Sequence, residues 1–416
     1  MASKLNRRFF LKAATASAFV PYFHTASLKA EDERPKIAGF DLTDTDYDPL
    51  QEWRPYTDRK LRVGLVGYGV CQFSAEFYFQ NHPNVEVVAV SDLFPDRCAA
   101  LAKRVKCEKT YESLEKMVED DSIEAIFVAT DAPSHARHCR LVLDHGKHVC
   151  HAVPVHYGEP EEGEKLLECV KKNRGLKYAM FETSAYHDDV YAMDKIYAAG
   201  GFGTLVYTEG EYHHTSAPNS PSIGSYKSWR GSGSPLFYPT HAMAYYISVT
   251  HKRFVDVSAQ GIQPINNPNP KPNRIGNTFI SECALLHTSE GGLARMVNSE
   301  TYGTYLENGR VRGEIGGFDS TYVPLEQGYT GTAEGQEIVK KLGNSIRKPA
   351  LPPGVEPGSH GGSHGYLCND FVDAVLKDQE PRVGIIDALN MTTPGYYAHV
   401  SATRDGELIK LPEYTL

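Results

Sequence analysis

The 416-residue chain contains no run of about 18 apolar residues, the length a helix needs to cross a bilayer, which excludes a multispanning membrane protein. It also lacks a basic stripe. Lys+Arg number 43 against Asp+Glu 52, the net charge is −9 and the pI is near 6.0. Phosphate binding needs clustered Lys and Arg, so nucleic acid is not the expected partner. The eight cysteines (Cys71, Cys98, Cys107, Cys139, Cys150, Cys169, Cys283, Cys368) form no C-x-x-C pair and have no zinc spacing. They read as small buried hydrophobes, and no metal site is expected. There is no internal repeat. What remains is an ordinary globular balance, 41% hydrophobic and 23% charged, with chain enough for two or three domains and a buried core.

The charge is unevenly spread. Residues 1–30 carry Lys4, Arg7, Arg8, Lys12 and Lys29 and no acid, which leaves −14 on the remainder. Asn6-Arg7-Arg8-Phe9-Phe10-Leu11-Lys12, the short apolar run Ala13 to Val20 and the small residues around Ala26 to Ala30 read as a signal peptide. The paired arginines resemble the twin-arginine export motif. The expectation is a periplasmic or otherwise exported protein with no membrane anchor in its mature form.

Residues 31–58 are acidic and contain Pro, and read as an arm or linker. From Arg59, short β-rich runs alternate with helical stretches: Leu61-Val66, a helix through Gln80, Val85-Val90, a helix over Arg97-Val105 and Ala125-Thr130. A helix around His135-His145, the run His148-Val153 and a helix over Glu161-Lys172 follow. Such alternation predicts a parallel sheet covered on both faces, over 59–180. Beyond Lys177-Glu182 comes one helix at Val190-Ala199, and then strands predominate: Leu205-His213, Val255-Gly261, Phe279-Leu286, Gly292-Asn298 and Arg310-Ile315. The fold class expected is therefore α/β, with a second domain over 181–416 built on a mostly antiparallel open sheet and a last helix at Gly365 to Leu376. An open sheet face and the arm make a homo-oligomer the expectation.

Strand Leu61-Val66 runs into Gly67-Tyr68-Gly69-Val70-Cys71-Gln72, and strand Val85-Ser91 ends at Asp92. Gly67 permits a tight turn, and Gly69 lets the backbone approach a pyrophosphate. Asp92 is placed to accept from an adenosine ribose and to repel a 2′-phosphate, which favours NAD over NADP. The third glycine of the fingerprint is replaced by Gln72.

Residues 125–154, with Thr130, Pro133, His135, Gly146-Lys147-His148-Val149 and Pro154, resemble the glucose-fructose oxidoreductase and inositol dehydrogenase family of NAD(P)-dependent enzymes. The resemblance runs from about residue 60 to the end, where Phe371-Val372, Pro381 and Gly406 to Pro412 fit a segment that returns to the Rossmann domain. It implies a Rossmann domain followed by an α/β domain whose open sheet lies beside the nicotinamide, with Thr130, His135, Val153 and Pro154 on the cofactor side. Two departures matter. Typical members read Glu-Lys-Pro where this chain has Ala152-Val153-Pro154, and they place an aspartate where this chain has Phe237, four residues before His241. A valine can neither carry nor relay a proton, so a dehydrogenase mechanism through that lysine is not expected.

The branch most similar is the NAD-dependent glycosidases of glycoside hydrolase family 109. The resemblance lies in the valine before the proline, Glu182 to Tyr186, Tyr212-His213-His214, Trp229-Arg230, Tyr238-Pro239-Thr240-His241 and His360-Gly361-Gly362. It implies a glycoside substrate and retained NAD: C3 is oxidised, the C1 leaving group is eliminated, water adds and C3 is reduced again. His241 is then the first acid/base and Tyr186 its partner at C2. Tyr305, or else Tyr302, is a further active-site tyrosine, and His213 is a group that binds sugar hydroxyls or assists the leaving group. His214, Tyr212 and Tyr238 bind substrate, while Trp229 and Arg230 lie on the cofactor side. Asp188-Asp189 fits a helix start better than a carboxylate pair, and His360-Gly361-Gly362-Ser363-His364 fits a Gly-rich loop before a helix. Two other readings stay open, an exported sugar oxidoreductase with tightly bound NAD and a noncatalytic NAD-binding sugar-recognition protein.

Overall fold

The computed structural model describes residues 48, 50–214, 229, 233–267, 269–299, 305–321 and 325–416, with the side chain at 326 excepted. The expected signal peptide, the arm up to residue 47, Arg230 and Tyr302 lie outside the described residues.

The first six strands form one sheet: β1 (Leu61–Val66), β2 (Val85–Ser91), β3 (Thr110–Tyr111), β4 (Ala125–Val128), β5 (His148–Ala152) and β6 (Tyr178–Phe181). Its order is β3-β2-β1-β4-β5-β6 and every pairing is parallel. β4 is AIFV, buried at all four positions, as expected of a strand covered on both faces. The connections carry α1 (Phe73–Glu76), α2 (Pro95–Val105), α3 (Leu114–Met117), α4 (His135–Asp144) and α5 (Pro160–Lys172). The chain order reverses between β1 and β4, and the crevice at their carboxyl ends is where such sheets bind ligands.

After β6 come α6 (Asp188–Ala198) and β7 (Leu205–His213), then α7 (Thr240–Thr250), β8 (Phe254–Ile262), β9 (Ser281–Thr288), β10 (Leu293–Ser299), β11 (Leu306–Gly313), β12 (Gly316–Asp319) and β13 (Tyr329–Gly331). Helices α8 (Ala333–Leu342), α9 (His364–Leu376) and α10 (Ile385–Ala402) follow, and β14 (Ile409–Lys410) closes the second sheet. Its order is β13-β12-β11-β7-β10-β9-β8-β14, antiparallel except for the β7–β10 pair. The fold is thus the expected one, a parallel Rossmann sheet followed by a mostly antiparallel mixed sheet. α9 packs Leu367, Cys368, Phe371 and Val372 onto the Phe77, Phe127 and Phe181 side of the first sheet.

Three local expectations are corrected. The helix expected through Gln80 is a single turn, because Tyr78 takes a left-handed conformation (φ 62°) and a 3-10 turn, Phe79–Asn81, follows. The Gly365 to Leu376 helix is not the last one, since α10 runs 18 residues beyond it with Pro394 inside. α7 was not anticipated: all eleven of its residues are buried, so it has no polar face to give a helical period.

α7 lies directly on β7. A Cβ at Gly210 would sit 2.0 Å from the Ala242 carbonyl oxygen, and one at Gly309 would enter the Tyr245 ring. The two glycines let α7 descend onto the sheet, and that sets the depth of its first turn, where His241 stands. Gly210→Ala should therefore destabilise the fold by about 1–3 kcal/mol. Gly175→Ala, whose Cβ meets nothing within 4 Å, should stay within about 0.5 kcal/mol of wild type in urea unfolding.

Candidate active site

A crevice of about 230 Å³ opens at the ends of β1, β2 and β4, lined by Gly67, Gly69, Val70, Asp92, Thr130 and Val153 among others. Gly67 has φ +92°, and a Cβ there would lie 2.3 Å from the Ala129 carbonyl oxygen. Only glycine fits both the conformation and the space. At Gly69 a Cβ would meet no protein atom within 4 Å, so the backbone is bare where a ligand would approach. The Asp92 carboxylate accepts from the Tyr68 N–H at 2.7 Å and from the Phe94 N–H at 2.8 Å, which fixes it at the rim. A bare glycine cradle, a strand-end acid and an apolar wall at Ala152 and Val153 together fit a dinucleotide. Gln72, in the place of the third glycine, is itself left-handed (φ 51°), and the helix after it is one turn, so little helix dipole reaches the phosphates.

His135 and Thr130 line the crevice, but their polar atoms serve the protein. His135 places Nδ1 2.8 Å from the Pro154 carbonyl and Nε2 3.2 Å from that of Thr130, while Thr130 Oγ1 is 2.8 Å from His138 Nδ1. Burial lowers His138 to about 4. Pro154, reached through a cis bond from Val153, stands behind the wall rather than in it.

Trp229 connects the crevice to a second recess. It lines the crevice, and its ring lies 6.2 Å from Tyr238. Tyr238 is 5.4 Å from His241, His241 is 4.6 Å from Tyr212, and Tyr212 is 5.9 Å from His214 and 6.4 Å from Tyr305. His214 and Tyr305 stand edge to face at 5.7 Å. Burial and the nearby Glu307 raise the Tyr305 hydroxyl above its ordinary pKa, although 55% of the residue is exposed. The segment before α7 is held from below. Buried Glu282 accepts from the Ser234 hydroxyl and, at 2.9 Å, from the Leu236 N–H, with His399 at 2.7 Å.

Two expected catalytic residues are elsewhere. Side chains alternate along β7: Gly210 and Tyr212 face α7, whereas His213 shares the opposite face with Glu209 and Glu211, 3.3 Å from the Glu211 carboxylate. This corrects the role expected of His213. Tyr186 ends a 3-10 turn, and its ring stacks on Tyr191 and Tyr366 and lies under the Arg382 guanidinium. Burial and Asp370 push its hydroxyl well above the ordinary value. It opens onto a different cavity, shared with Asp370, Arg382 and His251, so it cannot be the base expected at C2.

The residue whose role sequence reasoning missed is Glu182, although it begins the motif that ends at Tyr186. It follows β6, is 0% exposed, and sets Oε1 2.6 Å from His241 Nδ1 and 2.9 Å from the Ser184 N–H. Burial works to raise this carboxyl, but His241 and the Ser184 N–H hold it at about 2. With Nδ1 committed to the carboxylate, proton exchange with a ligand falls to Nε2 of His241. Phe237, which stands where related enzymes have aspartate, packs on Tyr157 and His399 instead.

Residues 61–180 match the family model described as "Oxidoreductase family, NAD-binding Rossmann fold", and this part of the chain is an NAD-binding Rossmann domain. The chain is similar to glycosyl hydrolase family 109 protein 1 of Bacteroides thetaiotaomicron, 28% identical over 228 residues, which are 50% of this chain and 47% of that protein. It is also similar to a glycosyl hydrolase family 109 protein of Streptomyces niveus, 24% identical over 395 residues, 85% of this chain and 77% of that protein. The match thus spans about half the length of the Bacteroides relative. Among solved structures, levoglucosan dehydrogenase in complex with NADH and levoglucosan shares the fold with TM-score 0.67 at 17% identity, over 86% of this chain and 100% of that one. Scyllo-inositol dehydrogenase of Lactobacillus casei with NAD(H) and scyllo-inositol does so with TM-score 0.63 at 15% identity, over 85% and 99%.

Two outcomes check this site. Gly69→Ala should fold with an unchanged melting temperature yet bind NAD about tenfold more weakly by calorimetry, the loss of one close contact, whereas Gly67→Ala should lower the melting temperature as well. Glu182 is depressed on folding, so its stabilising effect is complete above its ordinary 4.5 and is lost as pH falls toward about 2. Glu182→Gln should flatten the pH dependence of unfolding in that window.

Proposed function

We propose that this chain is an exported, NAD-dependent glycoside hydrolase that cleaves its substrate by oxidation, elimination, hydration and reduction. The observation that carries this reading is the buried Glu182–His241 dyad in an aromatic recess beside the dinucleotide crevice, with Val153 in place of the dehydrogenase lysine. Most glycosidases work instead with two carboxylates flanking the scissile bond, and the nicotinamide route is a recognised exception. The family 109 names of the curated relatives support it. The twin-arginine resemblance supports export of a protein that keeps its cofactor. The sheet face carrying Glu209, Arg295 and Arg310 supports association of copies of the chain.

NAD, when bound, supplies the hydride acceptor at C3 and the hydride donor at the end, so turnover has no net redox change. His241 takes the C3 hydroxyl proton at Nε2, and the Glu182 carboxylate stabilises the resulting imidazolium. With Tyr186 and His213 placed elsewhere, His214 is the imidazole in the recess left to take the C2 proton. Tyr305, whose raised pKa keeps it protonated, donates to the leaving oxygen. The faces of Tyr212, Tyr238 and Trp229 hold the sugar ring and exclude water from it.

Purified protein given a chromogenic glycoside in deuterium oxide, with no added cofactor, should release aglycone and place deuterium at C2. His241→Ala should lower kcat by about 10²–10⁴-fold. Redox exchange between sugars without cleavage would favour an oxidoreductase with tightly bound NAD, the reading supported by the dehydrogenase fold. Inertness with NAD bound would overturn both.

A further inference from the structure

The loop before α9, Ser359 to Ser363, takes no part in the chemistry above, yet its backbone is costly to hold. His360, Gly361 and Gly362 are all left-handed (φ 49°, 64° and 72°), a region uncommon for any residue but glycine. The loop is pinned at several points. The His360 carbonyl accepts from the Ser363 hydroxyl at 2.8 Å. A Cβ at Gly361 would lie 2.5 Å from the His187 ring, and Lys348 Nζ donates to the carbonyls of Gly362 at 3.0 Å and Tyr186 at 2.8 Å. The loop thus lies against the turn that runs on from Glu182, while the His360 ring stands 5.7 Å from Phe73, itself on the wall of the dinucleotide crevice. His360 therefore occupies the junction between the crevice and the dyad, where it feels the charges of both Glu182 and His241.

A chain of hydrogen bonds fixes which His360 nitrogen carries the proton. His364 Nδ1 is 3.0 Å from the Glu76 carbonyl, which can only accept, so Nδ1 donates. Burial holds His364 at about 4, so at neutral pH its ring has one N–H and its Nε2 is an acceptor. His360 Nδ1 stands 2.9 Å from that Nε2 and 3.0 Å from the Ser359 hydroxyl, and it must donate, since two lone pairs would otherwise face each other. Burial holds His360 neutral as well, at about 3. Its Nε2 is then a lone pair turned away from His364, and no described residue donates to it. The residue is only partly buried, so a ligand can reach it.

We propose that His360 determines ligand specificity: its Nε2 accepts a hydrogen bond from a ring hydroxyl of the ligand bound where the crevice meets the dyad. The hydroxyl belongs to the sugar or to a ribose of NAD, which are alike to an acceptor. In the sugar case the proposal rests on the reaction proposed above. There C3 becomes a carbonyl, which cannot donate, so the partner of His360 is a hydroxyl that keeps its proton throughout, unlike the one His241 deprotonates. A neutral ring with no proton on Nε2 rewards a hydroxyl and penalises a ligand that lacks it, because the lone pair is then covered without a partner. No proton is transferred, and the bond is the same in bound substrate and transition state. It acts on binding and not on the chemical step.

The test is His360→Asn in the full chain. Asparagine tolerates a left-handed backbone and can place its amide N–H where Nδ1 stands, so the bond to His364 is kept, but it has no atom at the position of Nε2. If the hydroxyl is the sugar's, KM of the NAD-loaded variant for a chromogenic glycoside should rise about tenfold, the loss of one neutral hydrogen bond, with kcat within about threefold and NAD affinity unchanged. A deoxy analogue of that glycoside, lacking the hydroxyl, should bind wild type and variant alike. If the hydroxyl is a ribose's, calorimetry should show NAD held about tenfold more weakly. A folded variant with KM and NAD affinity both within about twofold of wild type would overturn the proposal. So would a ¹⁵N NMR spectrum of the wild type that shows His360 protonated at Nε2 at neutral pH. If the variant does not fold, the wild-type spectrum decides, since the Nε2 resonance must move when NAD or the glycoside is added. If the wild type cleaves no glycoside, the reaction falls and His360 is judged on its tautomer and on NAD affinity alone, either of which can overturn it.

Discussion

The contact between Glu182 and His241 joins the two halves of the molecule where they most need to agree. Glu182 leaves the last strand of the parallel sheet, and His241 opens the helix that lies on the mixed sheet. A carboxylate with no exposure is tolerable only with a partner that can be cationic, and an imidazole at 2.6 Å is that partner. The pair therefore fixes one sheet against the other and holds the imidazole at a set angle to the aromatic recess. Trp229 then carries the recess to the dinucleotide crevice, so the imidazole's aromatic surroundings run on into the crevice wall.

Much of the cofactor half was legible because its signals are local. Strand, turn and acid follow in order in Leu61–Val66, Gly67 and Asp92, and all three meet at the crevice. The second half was less legible because its partners come from distant segments. Glu182 and His241 are 59 residues apart, and no spacing rule links them. His213 was misplaced for a different reason: three consecutive polar aromatics look like one cluster in sequence, but a strand sends neighbours to opposite faces. Tyr186 was drawn in by its motif, whereas a 3-10 turn directs its ring toward Arg382 and Asp370.

Helices were missed where burial removes their period. α7 has no exposed residue, and α10 carries Pro394 and Gly395 in its middle, which read locally as a break. The structure shows why glycine is there. A Cβ at Gly395 would lie 2.0 Å from the Leu236 carbonyl oxygen, so α10 supports the turn before Tyr238 at backbone distance. Close approach of this kind leaves no hydrophobic pattern to find.

The single parallel pairing in the second sheet has a consequence for the order in which the molecule assembles. β7 lies between β10 and β11, with Tyr207 opposite Leu293 and His213 opposite Leu306, so α7, β8 and β9 all belong to the excursion that these pairings close. Contacts across so long a stretch of chain form late, because the entropy of closing the loop must be met before the strands reward it. His241 then reaches Glu182 only when the sheet beneath it is complete. Because α9 also comes from late in the chain and covers a face of the parallel sheet, both halves reach their final packing only once the C-terminal residues are in place.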